Sequence, residues 1–431
     1  MDSIINDCSH LNAIEKKKLS SLLYKYKKLF DGTLGNFDVE PATIELKKDA
    51  KPVQLRHFQV PHVRRAMFQK ELKRLIQIGV LVKRANSRWS SPSFLIPKKD
   101  GEGRFLSDFR KLNTLILRKP YPTPRILDLI QTLEGFTYAT TLDLNMGYYT
   151  IKLDPTAQDY CTIVTPWGKY AYTRLPMGLC NAPDIFQEKM YSLMDGLEFV
   201  RTYLDDLLVL SSHDLDDHLD KLSIVFDRLL NAGLRVQIKK CSFCSPEVAY
   251  LGYTIGRDGV KPQTNKIQAI QNLGIPSTVR DVRRILGVIQ YYRDMWPCRS
   301  HTLAPLTSLI STKDVTSTVD KNNKLRKIVW RDSCQKAFDD MKQLVSKEVL
   351  LAYPRFDQPF EVYTDASSYQ LGAVIVQNNR PLAFFSRNLS EAQKKYTTRE
   401  QELLSVIETL KEFRNILFGY EVIVYTDHKN L

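Results

Sequence analysis

The stretch Phe199-Val-Arg-Thr-Tyr-Leu-Asp-Asp-Leu-Leu-Val-Leu-Ser211 places two adjacent carboxylates, Asp205 and Asp206, between two short apolar runs. Such runs on either side of a polar turn predict a β-hairpin with strands at 199–204 and 207–210. Two adjacent acids, with a third from a neighbouring strand, can hold two divalent cations for in-line phosphoryl displacement. The pattern is short, and a hairpin turn with two solvated aspartates stays open as the alternative.

A candidate for the third acid is Asp143, which ends the strand-like run Tyr138-Ala-Thr-Thr-Leu-Asp143. Because Mg²⁺ prefers carboxylate oxygens, we expect Asp143, Asp205 and Asp206 to bind two Mg²⁺ ions. One ion would lower the pKa of an attacking 3′-hydroxyl, and the other would stabilise the departing pyrophosphate. The next turn carries Tyr148, whose ring could lie under the sugar of a bound nucleotide and exclude a 2′-hydroxyl. A buried core tyrosine is the alternative for this residue.

Short strands and helices alternate around these acids, from about Pro92 to Gly256, which indicates a mixed α+β fold. Two further hairpins are predicted, one pairing 93–97 with 104–109 and the other pairing 161–165 with 169–174. Helices are predicted at 184–196 and 214–232.

The two flanks have patterns of their own. On the N-terminal side we predict an amphipathic helix at 14–30, an extended connector at 33–63 and a helix at 64–78 that stops at Gly79. On the C-terminal side we predict an arginine-rich helix at 264–293 and a polar linker at 311–327. Beyond the linker we predict helices at 333–345 and 399–416 and strands at 360–365, 371–377, 382–385 and 421–427.

The composition indicates several domains and a polyanionic partner. Of 431 residues, 43% are hydrophobic, which is enough for roughly two to four packed domains. Lys and Arg outnumber Asp and Glu by 62 to 48, and such a charge favours nucleic acid because neutralised phosphates release counterions; a charge that only aids solubility is the alternative. The scattered cysteines and the lack of a leader or a long apolar run predict an intracellular protein, in a cytoplasmic particle or the nucleus, without membrane insertion.

An ordered series of motifs runs through the chain. In sequence they are Trp89-Ser-Ser-Pro, Pro97-Lys-Lys-Asp-Gly, Ser107-Asp-Phe-Arg-Lys-Leu-Asn, Pro120-Tyr-Pro-Thr-Pro-Arg, Leu142-Asp-Leu, Leu175-Pro-Met-Gly-Leu-Cys-Asn-Ala-Pro, Tyr203-Leu-Asp-Asp, Lys240-Cys-Ser-Phe, Tyr250-Leu-Gly-Tyr and Arg284-Ile-Leu-Gly. Through these motifs the chain resembles the gypsy-like class of retrotransposon reverse transcriptases over nearly its whole length.

The resemblance implies an α+β right-hand polymerase with fingers, palm and thumb, followed by a truncated RNase H-like α/β domain. The implied divisions are an N-terminal helix and connector at 1–63, the fingers and start of the palm at 64–142, the palm with the metal site at 143–258, the thumb at 259–310, the linker at 311–327 and the RNase H-like domain at 328–431, incomplete at its C-terminus.

The resemblance also implies a set of nucleotide and primer contacts. The nucleotide-binding residues would be Lys98, Arg104, Tyr148, Met177, Gly178 and Lys240, and the primer-binding residues would be Leu251, Gly252 and Tyr253. An ammonium and a guanidinium, at Lys98 and Arg104, are suited to triphosphate oxygens. Lys240 is a candidate proton donor to pyrophosphate, with a surface lysine as the alternative.

Three positions depart from the family's usual pattern. Met177 and Gly103 stand where aromatic residues are common, and Asn145 stands where a basic or small polar residue is common. Since none of these changes removes a metal ligand, the expected effect is on fidelity or nucleotide affinity.

The C-terminal part carries a second set of acids that resembles the RNase H site of the same family. These are Asp365 in Val362-Tyr-Thr-Asp, Glu402 on the long helix and Asp427 in Tyr425-Thr-Asp-His. Three carboxylates from three elements would build another two-metal site that activates water against an RNA phosphate. Glu400 and Glu402 point to different sides of a helix, and the resemblance favours Glu402. A module that only supports the polymerase and binds hybrid stays open as the alternative.

The resemblance implies an RNA-directed DNA polymerase whose partners are an RNA template, a DNA primer, RNA–DNA hybrid and deoxynucleoside triphosphates. The alternative is a catalytically silent, nucleic-acid-binding remnant of a retroelement. An RNA-dependent RNA polymerase is disfavoured by Tyr148 at the sugar position and by the attached RNase H pattern. The sequence does not predict the oligomeric state.

Overall fold

The computed structural model describes residues 1–97, 103–131, 133, 135–310, 327–347 and 349–428. Lys98 and nearly all of the predicted linker at 311–327 lie outside the described residues. The chain forms two compact units, the first made of Met1–Pro124 and Thr137–Pro246 and the second of Arg125–Phe136 and Glu247–Leu431. No described helix has the length and apolar character needed to cross a bilayer.

The helices and strands follow one another along both units. The helices are α1 (Asp2–Asp7), α2 (Ala13–Lys25), α3 (His62–Gln77), α4 (Arg110–Asn113), α5 (Ile126–Gln131), α6 (Pro155–Tyr160), α7 (Ala182–Met194), α8 (Leu215–Asn231), α9 (Thr264–Gln271), α10 (Val279–Tyr291), α11 (Arg299–Ser308), α12 (Asp332–Ser346), α13 (Thr398–Glu412) and α14 (Arg414–Leu417). The strands are β1 (Leu81–Lys83), β2 (Ser91–Pro97), β3 (Gly103–Ser107), β4 (Tyr138–Asp143), β5 (Thr162–Thr165), β6 (Gly168–Tyr172), β7 (Val200–Tyr203), β8 (Asp206–Ser211), β9 (Ser242–Ser245), β10 (Glu247–Tyr250), β11 (Tyr253–Gly256), β12 (Gly259–Pro262), β13 (Phe360–Ala366), β14 (Gln370–Gln377), β15 (Arg380–Asn388) and β16 (Val422–Thr426).

The central sheet of the first unit has the order β7-β8-β4-β9. The predicted hairpin at 199–210 is confirmed as β7 and β8, which close with Tyr203 opposite Asp206. Helix α7 packs against β7, and helix α8 packs against β8. Because Leu207, Leu208 and Val209 are completely buried, β8 has an apolar run rather than a simple alternation.

A second sheet of the first unit has the order β1-β6-β5-β2-β3. Its β2–β3 and β5–β6 pairs are antiparallel, which confirms the two other predicted hairpins. The turn between β5 and β6 closes at Gly168, whose φ of 132° is a conformation that favours glycine.

Within the first unit, the N-terminal segment packs against α8 through aromatic side chains. The rings of Tyr26 and Phe30 each lie 5.4 Å from the ring of Phe226 on α8, in edge-to-face geometry. The hydroxyls of Tyr26 and Ser223 share a hydrogen bond of 2.8 Å. These contacts make the N-terminal segment part of the same hydrophobic core.

In the second unit, the prediction of one helix at 264–293 is wrong. The structure has α9 and α10 instead, separated by a stretch that contains Gly274 and Pro276. Proline disfavours helical geometry in the residue before it, so α9 ends and a new helix must start. Thr278 and Asp281 form a capping box that begins α10.

The last sheet of the second unit has the order β15-β14-β13-β16. Strands β13 and β16 are parallel, and α13 packs against β13 and β14. The predicted strand at 382–385 is longer in the structure, and the predicted helix at 399–416 is divided into α13 and α14 at Phe413.

A buried histidine lies behind the central sheet of the first unit. His218 on α8 is 0% exposed, with Nε2 2.8 Å from Thr140 Oγ1 and Nδ1 2.9 Å from Ser211 Oγ. Burial, together with the charge of Lys221, lowers the pKa of His218 to about 4. The folded protein therefore keeps this imidazole neutral where an unfolded chain would protonate it.

We expect stability to fall with pH below the unfolded histidine pKa of about 6.5. As the pH drops from there towards 4, the unfolded chain binds a proton that the folded chain does not bind. The free energy of unfolding therefore falls, by an amount that approaches roughly 3 kcal/mol. Thermal unfolding between pH 7 and pH 4.5 should show a weaker pH dependence in His218→Gln than in the wild type. His213→Gln, at an exposed position, is the control; an equal slope in wild type and His218→Gln would contradict the assignment.

Candidate active site

The register of the central sheet brings three carboxylates together. Strand β4 ends at Asp143, which pairs directly with Asp206, the first residue of β8. The backbone N–H of Leu144 donates to the carbonyl of Asp205 at 3.1 Å. The acids that the sequence assigned to one site thus lie at neighbouring positions.

The turn between β7 and β8 is held by a residue that the sequence did not reveal. Leu204 has a φ of 54°, a left-handed conformation that costs about 1 kcal/mol or more outside glycine. Gln187 on α7 is 1% exposed; its Oε1 accepts from the Leu204 N–H at 2.7 Å, and its Nε2 donates to the Thr202 carbonyl at 3.3 Å. The sequence signal that could have identified Gln187 was a polar amide side chain next to Phe186, on the buried face of an amphipathic helix.

Burial and repulsion both disfavour charge on Asp205 and Asp206. Burial, with the charges of Asp205 and Asp143, raises the pKa of Asp206 to about 6. Burial also raises the pKa of Asp205, against the opposing effects of Lys240 and Arg104. A cation bound here would favour all three ionised forms.

Lys240 supplies one positive charge at this place. Its Nζ donates to both carboxylate oxygens of Asp143, at 3.0 and 2.9 Å. Within the described ranges, no three His, Cys, Asp or Glu side chains are arranged as a finished metal site. The lysine side chain is 63% exposed. Carboxylate oxygens are the ligands that Mg²⁺ prefers, so the chemistry of the three acids suits that ion.

Two of the predicted nucleotide contacts lie beside these acids. Tyr148 is in a short 3₁₀ helix, Gly147–Thr150, with its ring 5.1 Å from that of Phe186. Burial and the nearby charge of Asp205 raise the pKa of Tyr148 to about 12, so its hydroxyl stays protonated. Arg104 is exposed on β3, and its charge acts on Asp205.

The turn at Met177 and Gly178 lies against the end of β3. Gly178 has a φ of 98°, and its carbonyl accepts from Asn113 Nδ2 at 2.9 Å. A Cβ at Gly178 would lie 3.2 Å from the Ser107 carbonyl oxygen, so glycine allows this close approach. Lys98, the remaining predicted triphosphate contact, is outside the described residues.

The predicted primer contacts belong to the second unit. Leu251 and Gly252 form the left-handed turn between β10 and β11. The hydroxyl of Tyr292 donates to the Gly252 carbonyl at 2.7 Å. Tyr253 is 1% exposed, with its ring 5.4 Å from that of Tyr291. The Tyr253 ring is therefore part of the packed interior, whereas Leu251 and Gly252 are partly exposed.

A second acidic group lies at one end of the β13–β16 pair. Thr364 is opposite Thr426 in the parallel register, so Asp365 and Asp427 each follow at the same end. Glu402 on α13 is 3% exposed and accepts from the Ala366 N–H at 3.1 Å. Burial, then Asp427 and Asp365, raises the pKa of Glu402.

Glu400 has a different role from Glu402. Its carboxylate accepts from the Thr397 N–H at 2.8 Å, in the capping box that begins α13. The two glutamates therefore face different surroundings, as the helical spacing predicted, and Glu402 is the one directed at the strands.

Two families match this chain. Residues 96–255 match the family described as reverse transcriptase (RNA-dependent DNA polymerase). Residues 330–424 match the family described as RNase H-like domain found in reverse transcriptase.

Relatives and solved structures agree with these matches. The Pol polyprotein of transposon 297 from Drosophila melanogaster is 32% identical over 98% of this chain, which spans 40% of that relative's length. The Pol polyprotein of transposon gypsy from the same fly is 30% identical over 96% of this chain and 41% of the relative. A foamy viral protease-reverse transcriptase in complex with double-stranded DNA has a TM-score of 0.89 at 25% identity, covering 99% of this chain and 74% of that chain.

We expect Gln187→Leu to destabilise the protein by about 1–3 kcal/mol, because the Leu204 N–H loses its buried acceptor. Urea unfolding would measure the loss. The control is Gln158→Leu, which removes an amide that donates one bond, to the Leu153 carbonyl at 3.0 Å, without touching the turn. Equal losses in the two variants would show that Gln187 does not hold the hairpin.

Proposed function

Because this chain belongs to the reverse transcriptases of retrotransposon Pol polyproteins, we propose that it is an RNA-directed DNA polymerase. The observation that carries the proposal is the pairing of Asp143 with Asp206 next to Asp205. Its substrates are an RNA template, a DNA primer and deoxynucleoside triphosphates. The complexes of foamy viral protease-reverse transcriptase with double-stranded DNA and with RNA/DNA hybrid support such partners.

The three carboxylates Asp143, Asp205 and Asp206 would hold two Mg²⁺ ions. When bound, such ions supply the Lewis acidity that activates the primer 3′-hydroxyl and stabilises the leaving pyrophosphate. Lys240 leaves Asp143 for this arrangement and becomes available as a proton donor to pyrophosphate. The Lys240 side chain is 63% exposed, which supports this movement because water can hydrate the ammonium group once it leaves Asp143.

The nucleotide is bound on the side of the acids where Arg104 and Tyr148 lie. Arg104, with Lys98, binds the triphosphate, since guanidinium and ammonium groups suit phosphate oxygens. The Tyr148 ring rests on Phe186 and takes the place under the sugar, where a 2′-hydroxyl would collide with it. Met177 and Gly178 face the base and template, and Gly178 permits close backbone approach.

The fingers (64–142), palm (143–258) and thumb (259–310) are the proposed divisions of the polymerase. The 251–253 turn would hold the primer end. Helix α10 buries one apolar face and leaves Arg280, Arg283 and Arg284 exposed, which suits the phosphates of a product duplex. All seven cysteines are free.

A second activity, cleavage of RNA in RNA–DNA hybrid, is favoured by the C-terminal acids. Asp365, Glu402 and Asp427 come from three elements, and burial, with smaller effects of Asp427 and Asp365, raises the pKa of Glu402. Together they would hold metal ions that activate water against a phosphate.

The test of the polymerase is primer extension on poly(rA) with oligo(dT), dTTP and Mg²⁺. Asp205→Asn should lower the rate at least about a thousandfold, because misaligned metals lose several kcal/mol of transition-state stabilisation. Asp216→Asn is the matched control, since Asp216 is an exposed partner of Lys18 on the surface. Loss in the first variant alone supports the proposal.

Other outcomes of the same assay would contradict the polymerase. Hybrid binding without extension by the wild type would identify a silent nucleic-acid-binding remnant. Faster incorporation of rUTP than of dTTP would identify an RNA polymerase instead.

The ribonuclease is tested with labelled RNA in an RNA–DNA hybrid. Glu402→Gln should abolish cleavage and leave primer extension intact, because it removes a carboxylate only from the C-terminal group. Glu400→Gln is the control, since that side chain caps α13. Absence of cleavage from the wild type would leave a supporting, non-catalytic module. Cleavage that persists in Glu402→Gln would instead exclude Glu402 from the catalytic group.

A further inference from the structure

A strap of residues 31–42 runs along the central part of the first unit, ahead of the matched reverse transcriptase family segment at 96–255. It forms backbone hydrogen bonds with two separate stretches. Asn36 and Asp38 donate their N–H groups to the carbonyls of Gly233 and Ala232 at 2.8 and 3.0 Å. Phe37 donates to Thr150 at 3.0 Å, and Ala42 donates to Lys152 at 2.8 Å.

Close packing makes this attachment specific. Gly233 has a φ of 75°, and a Cβ there would lie 2.1 Å from the Asn36 carbonyl oxygen. A Cβ at Gly35 would lie 2.8 Å from the Gly233 carbonyl oxygen. Only glycine at these two positions lets the strap and the 232–236 stretch approach so closely.

The strap also binds the turn that follows Asp143. The Nδ2 of Asn145 donates to the strap carbonyls of Gly32 and Thr33 at 3.0 and 2.8 Å. Nη1 of Arg174 donates to Asn36 Oδ1 at 2.8 Å and to the Thr150 carbonyl at 3.0 Å. The strap is therefore joined by side chains to both ends of the turn at 145–150.

That turn touches the catalytic acids. A Cβ at Gly147 would lie 3.3 Å from Asp205 Cβ and 3.1 Å from Phe186 Cζ. The next residue, Tyr148, rests on the same Phe186 ring. A shift of the turn would consequently change the position of Tyr148 relative to Asp205.

We propose that the strap is a positioning element that, through Asn145 and Asn36, holds the Tyr148 turn against Asp205 and so sets discrimination between deoxyribose and ribose. The proposal rests on the proposed function, in which the Tyr148 ring contacts the nucleotide sugar. The strap residues themselves touch no substrate; they act through the turn.

The variants Asn145→Ala and Asn36→Ala break the attachment from its two sides. We expect the ratio of kcat/KM for dTTP to that for rUTP to fall about tenfold in Asn145→Ala, because small misplacements at a reacting centre are costly. A smaller fall is expected in Asn36→Ala, which loses one bond. Tyr148→Ala gives the reference for full loss, and Tyr148→Phe, which keeps the ring, should retain discrimination.

Tyr26→Phe is the matched control. It removes the hydrogen bond to Ser223, which also joins the N-terminal segment to the first unit, but it lies away from the turn. Its sugar discrimination should equal that of the wild type, and thermal unfolding checks that the variants remain folded.

Amide hydrogen exchange tests the coupling without any catalysis. Exchange within 144–151 should be faster in Asn145→Ala and Asn36→Ala than in the wild type or Tyr26→Phe. Unchanged amide exchange in Asn145→Ala and Asn36→Ala would overturn the proposal that the strap positions the turn. Wild-type discrimination between dTTP and rUTP in both of these variants, with loss of discrimination in Tyr148→Ala, would also overturn it. Faster exchange in a protein that synthesises no DNA would support the strap's hold on the turn and overturn the proposed polymerase.

Discussion

The antiparallel pairing of β4 with β8 brings Asp143 opposite Asp206 and so places partly buried carboxylates at neighbouring positions. Partly buried carboxylates at neighbouring positions raise one another's pKa, as Asp206 shows. Such a cluster persists because the strands that carry it are fixed by buried residues on the other side. The ammonium of Lys240 donates to both carboxylate oxygens of Asp143 and so supplies a positive charge next to these acids.

The support behind these acids is apolar or neutral. Leu207, Leu208 and Val209 of β8 are completely buried, and His218 beneath the sheet is kept uncharged between two hydroxyls. Gln187 uses both ends of its amide on the turn before Asp205. Fixed neutral dipoles hold the geometry without adding charge to the site, which leaves the acids free to respond to metal and substrate.

The second unit also brings three carboxylates together, but with a different strand topology. Parallel pairing of β13 with β16 directs Asp365 and Asp427 to one end of a sheet, and α13 supplies Glu402 from above. Here the third acid comes from a helix face, whereas in the first unit it comes from the end of strand β4. Glu400 caps α13, whereas Glu402, two residues further along the same helix, accepts from the Ala366 N–H of β13.

The sequence by itself determined the hairpins, the α+β class and the acids, because turn residues and apolar alternation act within a few residues. It was wrong about a single helix at 264–293, where Gly274 and Pro276 are equally local signals that the helical periodicity obscured. Only the tertiary structure decided that Gln187 holds Leu204 and that Asn145 binds the strap more than 100 residues before it. Hydrogen bonds between such distant residues, and backbone contacts that need glycine at Gly233, follow from packing, which no local pattern encodes.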